Sequence, residues 1–132
     1  MAETRADRQL RLIGEVVAAA AERDVEVWLR GGWAMDFFLG EVTRDHRDID
    51  WFAWTGDADV LGAELVRRGF RQVPGLPPDQ QIDLVKDGED VSLNLLGRDH
   101  EDRVVVGGGP YAGSPWPEDI ARIQAVLDRR EP

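Results

Sequence analysis

Two aspartates, Asp48 and Asp50, lie two positions apart at the start of a stretch, residues 48–54, whose alternation predicts a β-strand. Side chains at such positions point to the same face of a strand, about 6 to 7 Å apart along the backbone. Two carboxylates this close repel each other unless positive charge lies between them. Carboxylate and phosphate oxygens are the ligands that Mg²⁺ prefers. The pair therefore predicts a Mg²⁺ site that would also bind a nucleotide triphosphate.

A glycine pair, Gly31-Gly32, precedes these aspartates and predicts a phosphate-binding turn. It lies between a predicted strand over residues 25–29 and a predicted helix over 33–39, with Gly40 as the helix stop. Backbone N–H groups at a helix N-terminus bind anions, and the missing side chains let a phosphate come close. Either pair alone is common at surfaces and in turns. The residues between the glycine pair and the aspartate pair are enough for a short helix, a loop and the start of an adjacent strand.

The other elements would position these residues within one α/β domain. Helical periodicity and cap signals predict helices over residues 4–22, 57–68 and 117–130, and an irregular segment lies over residues 107–117. Alternation predicts strands over residues 70–73, 82–85, 90–96 and 103–106, with a hairpin turn at Asp87-Gly88. This order predicts a single domain over residues 1–132 with a mixed sheet flanked by helices.

Composition limits the classes of function. The 132 residues include no cysteine, which excludes disulfides and thiolate metal sites and fits a cytoplasmic protein. A net charge of -10 argues against a nucleic acid partner and would attract a cationic small molecule, although acidity also serves solubility alone. No apolar run approaches the ~20 residues of a membrane span, and the polar N-terminus predicts no signal peptide.

One block of about 20 residues ties these features to a known family. It resembles the aminoglycoside 2″-type nucleotidyltransferases and their lincosamide-modifying relatives, which belong to the polymerase-β-like nucleotidyltransferase superfamily. The residues that carry the resemblance are Gly31-Gly32-Trp33-Ala34-Met35-Asp36, Leu39-Gly40, Thr43-Arg44, His46 and Asp48-Ile49-Asp50. The resemblance implies a polymerase-β-like core, Mg²⁺ as metal and ATP as donor.

The resemblance also implies roles for individual residues. Gly31-Gly32 would bind the nucleotide phosphates, and Asp48 and Asp50 would be catalytic metal ligands. Arg44 and His46 would orient phosphates or brace the site. For Arg44, a salt bridge to a neighbouring acid is an equal alternative. For His46, the equal alternative is a purely structural role.

One position departs from the family pattern. The family has a third carboxylate on a later strand, and here the matching segment, residues 91–95, carries Ser92 in its place. A neutral serine cannot act as a base at pH 7 and is a poor metal ligand. Asp90 shares a strand face with Ser92 and is the candidate third catalytic residue. Asp83, on the partner strand of the hairpin, is the alternative.

Two functions follow from these patterns. The first is transfer of a nucleoside monophosphate, AMP from ATP, onto a hydroxyl of a small polar acceptor such as an aminoglycoside. The chain is short for an acceptor site, so the acceptor pocket would be small, open, or shared with a second subunit in a homodimer. The alternative, motivated by Ser92, is a catalytically degenerate module that binds a nucleotide or, like an antitoxin, a protein partner.

Overall fold

The computed structural model describes residues 3–75 and 80–108, which form three α-helices and six strands. The helices are α1 (Arg5–Glu22), α2 (Gly31–Leu39) and α3 (Ala58–Arg67), and a 3₁₀ turn at Thr55–Asp57 precedes α3. The strands are β1 (Val27–Arg30), β2 (Asp48–Trp54), β3 (Arg71–Val73), β4 (Gln81–Lys86), β5 (Glu89–Arg98) and β6 (Val104–Val106). These bounds agree with the predicted elements to within a few residues. The predicted closing helix over residues 117–130 lies outside the described residues.

The strands form one mixed sheet, as predicted. Its order is β1–β2–β5–β4–β3, and β6 pairs with β5. The β2–β5 pair is parallel, and the other pairs are antiparallel. The two strands that carry the candidate acids are therefore neighbours at the centre of the sheet, although about 40 residues of chain separate them.

Alternation along the strands gives the sheet two different faces. One, the helix face, packs against α1 and α3 and forms the main core, which includes Leu12, Val16, Leu61, Leu65, Ile49, Trp51, Val91 and Leu93. The other carries Asp48, Asp50, Asp83 and Asp90 and is called the acidic face here. Burial of the apolar set on the helix face fixes the register, because a slip of one residue would turn every side chain over. The core thus determines which way the aspartates point.

The glycine pair differs from its prediction as a turn before the helix. Helix α2 begins at Gly31 itself, directly after the extended residue Arg30 (φ -133°, ψ 177°). Gly31 has φ +71°, which glycine adopts without a Cβ penalty. The glycines are therefore the first turn of the helix, and the chain changes direction at a single residue. Gly40, with φ +81°, ends the helix as predicted.

Within residues 3–75 and 80–108, no helix combines the length and the apolar character needed to cross a membrane.

Candidate nucleotide and metal site

Four residues form a row across the acidic face. The register pairs Arg30 of β1 with Asp50 of β2, Asp50 with Ser92 of β5, and Ser92 with Asp83 of β4. Residues paired in register share a sheet face, so the four side chains point to the same side. Asp48 lies on the same face and pairs with Asp90. Folding thus brings the two predicted metal ligands together with two further carboxylates.

The Asp50 carboxyl lies in an environment that disfavours its negative charge. Its burial and the neighbouring charge of Asp48 raise the pKa of Asp50, against the opposing effect of Arg30. Arg30 also lies over the Phe52 ring, with its guanidinium carbon 4.7 Å from the ring centroid. Arg30 therefore compensates the charge of Asp50 only in part. A bound metal ion would remove the imbalance, and the donor set of carboxylate oxygens fits Mg²⁺.

The predicted phosphate-binding glycine lies directly beside this carboxylate. A Cβ placed on Gly31 would be 3.4 Å from Oδ2 of Asp50. The N-cap residue of α2, Arg30, makes no side-chain capping hydrogen bond, and the first N–H groups of a helix have no partner within the helix. The structure thus brings a helix N-terminus, which favours anions, next to a carboxylate that favours a cation. A metal ion with a bound phosphate would satisfy both the helix N-terminus and the carboxylate.

Gly32 provides space for two residues of the loop that precedes β2. A Cβ on Gly32 would overlap Nη2 of Arg44 and would lie 2.5 Å from Nδ1 of His46. Arg44 is exposed, and its Nη1 donates to the backbone oxygen of Asp45. No ion pair involves Arg44 within residues 3–75 and 80–108, so the salt-bridge alternative finds no support there. Its guanidinium lies at the start of α2, where the predicted phosphate role requires it.

His46, in contrast, lies inside the protein. Its side chain is 3% exposed, its Nε2 is 2.6 Å from Oδ2 of Asp36, and its ring packs on Trp33 at a centroid distance of 4.6 Å. A ring so enclosed presents little surface to a nucleotide. The geometry favours the bracing role over direct phosphate contact, which stays a prediction.

Asp36 is the centre of the network that holds this loop. Besides its hydrogen bond with His46, the carboxylate of Asp36 accepts hydrogen bonds from the backbone N–H of Thr43 (3.1 Å) and from Thr43 Oγ1 (2.6 Å). These hydrogen bonds, first those of Thr43 and then that of His46, lower the pKa of Asp36 to about 2. The motif residues Asp36, Thr43 and His46 are therefore one unit that fixes the loop between α2 and β2.

A second buried group fastens this loop to α1. Gln9 donates from Nε2 to the backbone oxygen of His46 (3.0 Å) and to Glu89 (2.8 Å), and its Oε1 accepts from Trp33 Nε1 (3.0 Å). Burial works to raise the pKa of Glu89, but hydrogen bonds from Arg8, Gln9 and Arg5 outweigh it and the pKa is lowered. The loop before Asp48 is thus held from both α1 and β5.

The Asp36→Asn variant should lose stability in a pH-dependent way. The carboxyl of Asp36 titrates near 3.8 when unfolded and near 2 when folded, so the ionised form stabilises the fold above about pH 4. This contribution disappears as the pH falls from about 4 to 2. We expect urea unfolding to show the variant less stable than the parent at pH 7, with a difference that shrinks below pH 4. A difference that is constant across this range would contradict the assignment.

The two candidates for the third carboxylate, Asp83 and Asp90, have different surroundings in the structure. Asp83 accepts a hydrogen bond from Ser92 Oγ at 2.8 Å and one from Gln81 Nε2 at 2.7 Å, both at Oδ1. Asp90 is exposed, and its register partners are Asp48 and Val85. Asp90 stays a prediction as a catalytic residue. Over the described ranges, no three acidic or histidine side chains converge closely enough to hold one metal ion.

Several residues of the site were not singled out from the sequence. Arg30 could have been found as the last residue before the glycine pair, where a strand end meets a helix start. Gln9 and Glu89 gave no signal, because a polar residue within an amphipathic pattern is usually solvated.

Comparison with known proteins identifies the family of the chain. A family model described as aminoglycoside-2''-adenylyltransferase matches residues 12–81, more than half of the chain. A 2''-aminoglycoside nucleotidyltransferase from Klebsiella pneumoniae is 55% identical over 42 residues, which are 32% of this chain and 24% of that protein. A protein of the same description from Escherichia coli matches equally well.

Two solved structures share the fold. ANT(2'')-Ia in complex with adenylyl-2''-tobramycin matches with a TM-score of 0.66 and 31% identity, over 84% of this chain and 61% of that chain. The lincomycin-bound lincosamide antibiotic adenylyltransferase LnuA matches with a TM-score of 0.62 and 20% identity, over 74% of this chain and 63% of that chain. The predicted polymerase-β-like core is confirmed, and the matched region spans less than two thirds of either relative.

Proposed function

We propose that this chain, which belongs to the aminoglycoside-2''-adenylyltransferase family, transfers AMP from ATP onto a hydroxyl of a small polar acceptor. The observation that carries the proposal is the contact between the start of α2 and the carboxylate of Asp50, because the Gly31 Cβ position is 3.4 Å from Oδ2. Such a pairing suits a triphosphate, whose oxygens would meet backbone N–H groups on one side and a metal ion on the other.

The donor half of the site would work by positioning and charge. The N–H groups of Gly31-Gly32 and the guanidinium of Arg44 would bind the phosphates that leave as pyrophosphate. Asp48 and Asp50 would hold Mg²⁺, which supplies positive charge that offsets charge developing on the phosphate oxygens. His46 and Asp36 would keep the loop, and with it the aspartates, in place. Pre-set positions of this kind reduce the entropy cost of the reaction.

An aminoglycoside-like acceptor fits the charge of the molecule. The chain has a net charge of -10, and four aspartates share the acidic face, so a polycationic acceptor would be attracted to the side where the transfer takes place. The same charge disfavours nucleic acid. ATP as donor and the absence of cysteine fit the cytoplasm. A homodimer would be one way to build an acceptor pocket larger than these strands provide.

The direct test uses α-labelled ATP, Mg²⁺ and separate panels of aminoglycosides and lincosamides. We expect labelled acceptor and pyrophosphate in equal amounts with at least one aminoglycoside, detected by chromatography and mass spectrometry. Replacing ATP by the other three nucleoside triphosphates identifies the donor. No product from any pairing of donor and acceptor would contradict the proposal.

The same samples test the alternative function. A degenerate module that binds nucleotide would show Mg²⁺-dependent binding of an ATP analogue by calorimetry without product. The family match and the intact pair Asp48–Asp50 support the enzyme over the module.

A further inference from the structure

Asp83 occupies a position from which it can take part in the chemistry. It lies at the far end of the row that runs from Arg30 through Asp50 and Ser92. Two strand intervals separate its backbone from that of Asp50, which is roughly 10 Å. The charge of Asp83 still contributes to the raised pKa of Asp50, so its carboxylate lies close enough to act on a group bound beside Asp50. Asp83 therefore suits a role toward the acceptor.

The direction of the reaction supports that side of the site. In an in-line displacement, the entering oxygen and the leaving pyrophosphate lie on opposite sides of the α-phosphorus. Gly31, the proposed contact for the leaving phosphates, follows Arg30 at one end of the row and lies beside Asp50. The acceptor must then approach from the other end, which is where β5 and β4 carry Ser92 and Asp83.

The carboxylate of Asp83 is held with one oxygen engaged and the other aimed elsewhere. Ser92 Oγ and Gln81 Nε2 both donate to Oδ1, at 2.8 and 2.7 Å. Oδ2 lies against Gly75, where a Cβ would overlap it and would come within 3.1 Å of Cγ. Asp83 is only partly buried. Two donors on one oxygen fix the rotamer of Asp83, while Oδ2 lies against a residue without a side chain.

We infer that Asp83 is the base that accepts the proton of the acceptor hydroxyl, and that Ser92 is the residue that positions it. The inference rests on the proposed adenylyl transfer. As the acceptor oxygen forms its bond to the α-phosphorus, its proton passes to the carboxylate of Asp83. The bond from the α-phosphorus to the bridging oxygen breaks, and its electron pair leaves with pyrophosphate. The serine that replaces the family's acid thus serves a carboxylate on the neighbouring strand.

The first test compares three single substitutions of aspartate by asparagine. In Asp83→Asn the rate constant of transfer should fall by about 10²- to 10⁴-fold, the usual contribution of a general base. Binding of a Mg²⁺–ATP analogue, measured by calorimetry, should be unchanged. Asp24→Asn is the matched control, because Asp24 is exposed, has φ +55°, which asparagine also tolerates, and precedes β1 at the end away from Arg30. Asp90→Asn is the competing variant.

The outcomes separate this inference from the proposed function. If the parent chain transfers AMP but Asp83→Asn behaves like Asp24→Asn, or Asp90→Asn loses as much activity, Asp83 is not the base. Loss of analogue binding in Asp83→Asn would also overturn the inference, because it would assign Asp83 to the donor site. A parent chain without any transfer would overturn the proposed function, and the inference with it.

Ser92 gives a second, independent test of the same arrangement. Ser92→Ala removes the donor to Oδ1 and should lower kcat by roughly tenfold, the order of one lost hydrogen bond. Ser92→Thr keeps the hydroxyl on a residue that strands accept well and should restore most of the rate. Binding of the analogue should be the same in both. Equal activities of the alanine and threonine variants would overturn the positioning role.

Discussion

The Asp50→Asn variant is expected to lose adenylyl transfer by roughly a thousandfold or more and yet to be at least as stable as the parent chain without metal. Burial and the charge of Asp48 raise the pKa of Asp50 in the folded protein. The ionised carboxylate therefore destabilises the metal-free fold at neutral pH, since in the unfolded chain the same carboxylate is solvated and distant from Asp48. Asparagine has the shape of the neutral form and removes the repulsion. The gain should be at most about 1 kcal/mol, because Asp50 is partly exposed.

Magnesium should reverse the order of stability. The ion binds the folded parent and not its unfolded chain, so it stabilises the parent by mass action. The variant lacks a ligand and should gain little. Thermal unfolding with and without Mg²⁺, at several pH values from about 4 to neutral, measures both effects. In the metal-free parent, stability relative to the variant should fall as the pH rises through the raised pKa of Asp50.

Two results would argue against a metal site at this pair. One is a metal-free Asp50→Asn protein clearly less stable than the parent, which would mean that Arg30 and Asp50 form a stabilising ion pair. The other is an equal Mg²⁺-dependent shift in both proteins. Asp24→Asn, in which an exposed charge is removed, is the control for the change in net charge.

The sequence predicts the fold well where local chemistry determines it. Strand β2 matches its predicted bounds because alternation and β-forming residues coincide there. The predicted start of helix α2 lies two residues too late, since a glycine pair at the start of a helix, with positive φ at Gly31, has the sequence signature of a turn. The face on which Asp48 and Asp50 lie is predicted for the same reason as the strand, because a period of two leaves only one choice.

The candidate site is predicted less fully, because its partners come from distant strands. The turn at Asp87-Gly88 makes Lys86 pair with Glu89, and counting outward from that pair brings Asp83 opposite Ser92. The register of the hairpin thus predicts this pairing and favours Asp83, the alternative to Asp90 named from the sequence. The parallel register of β2 on β5 does not follow from the sequence in this way, since no local signal sets a pairing between strands about 40 residues apart.

His46 illustrates a different limit. Its residue type and its place in the loop fit a phosphate contact, but the type does not determine the direction of the ring. Asp36 accounts for the direction, because a buried carboxylate requires hydrogen-bond donors and takes them from Thr43 and His46. The histidine acts on the site through the loop that it fixes.

The Gly32→Ala variant should be strongly impaired in both stability and nucleotide binding. A Cβ at this position would lie 2.5 Å from Nδ1 and 2.7 Å from Cε1 of His46. The ring is held in place, because Asp36 binds its Nε2 and Trp33 packs on its face. We therefore expect a loss of about 1 to 3 kcal/mol in the free energy of unfolding, as for other overpacked sites. The displaced loop carries Arg44 and leads into Asp48, so the Kd for a Mg²⁺–ATP analogue should rise roughly tenfold, equivalent to about 1.4 kcal/mol.

Gly14→Ala is the matched control, because the same atom is added where the effect should have the opposite sign. Gly14 is exposed on α1, and a Cβ there meets nothing within 4 Å. Alanine favours the helix over glycine by up to about 1 kcal/mol, so Gly14→Ala should stabilise the protein and leave nucleotide binding unchanged. Urea unfolding and calorimetry on the two variants give both comparisons. If Gly32→Ala is as stable as Gly14→Ala, the His46 ring can move, and the loop before Asp48 is not held by the buried network.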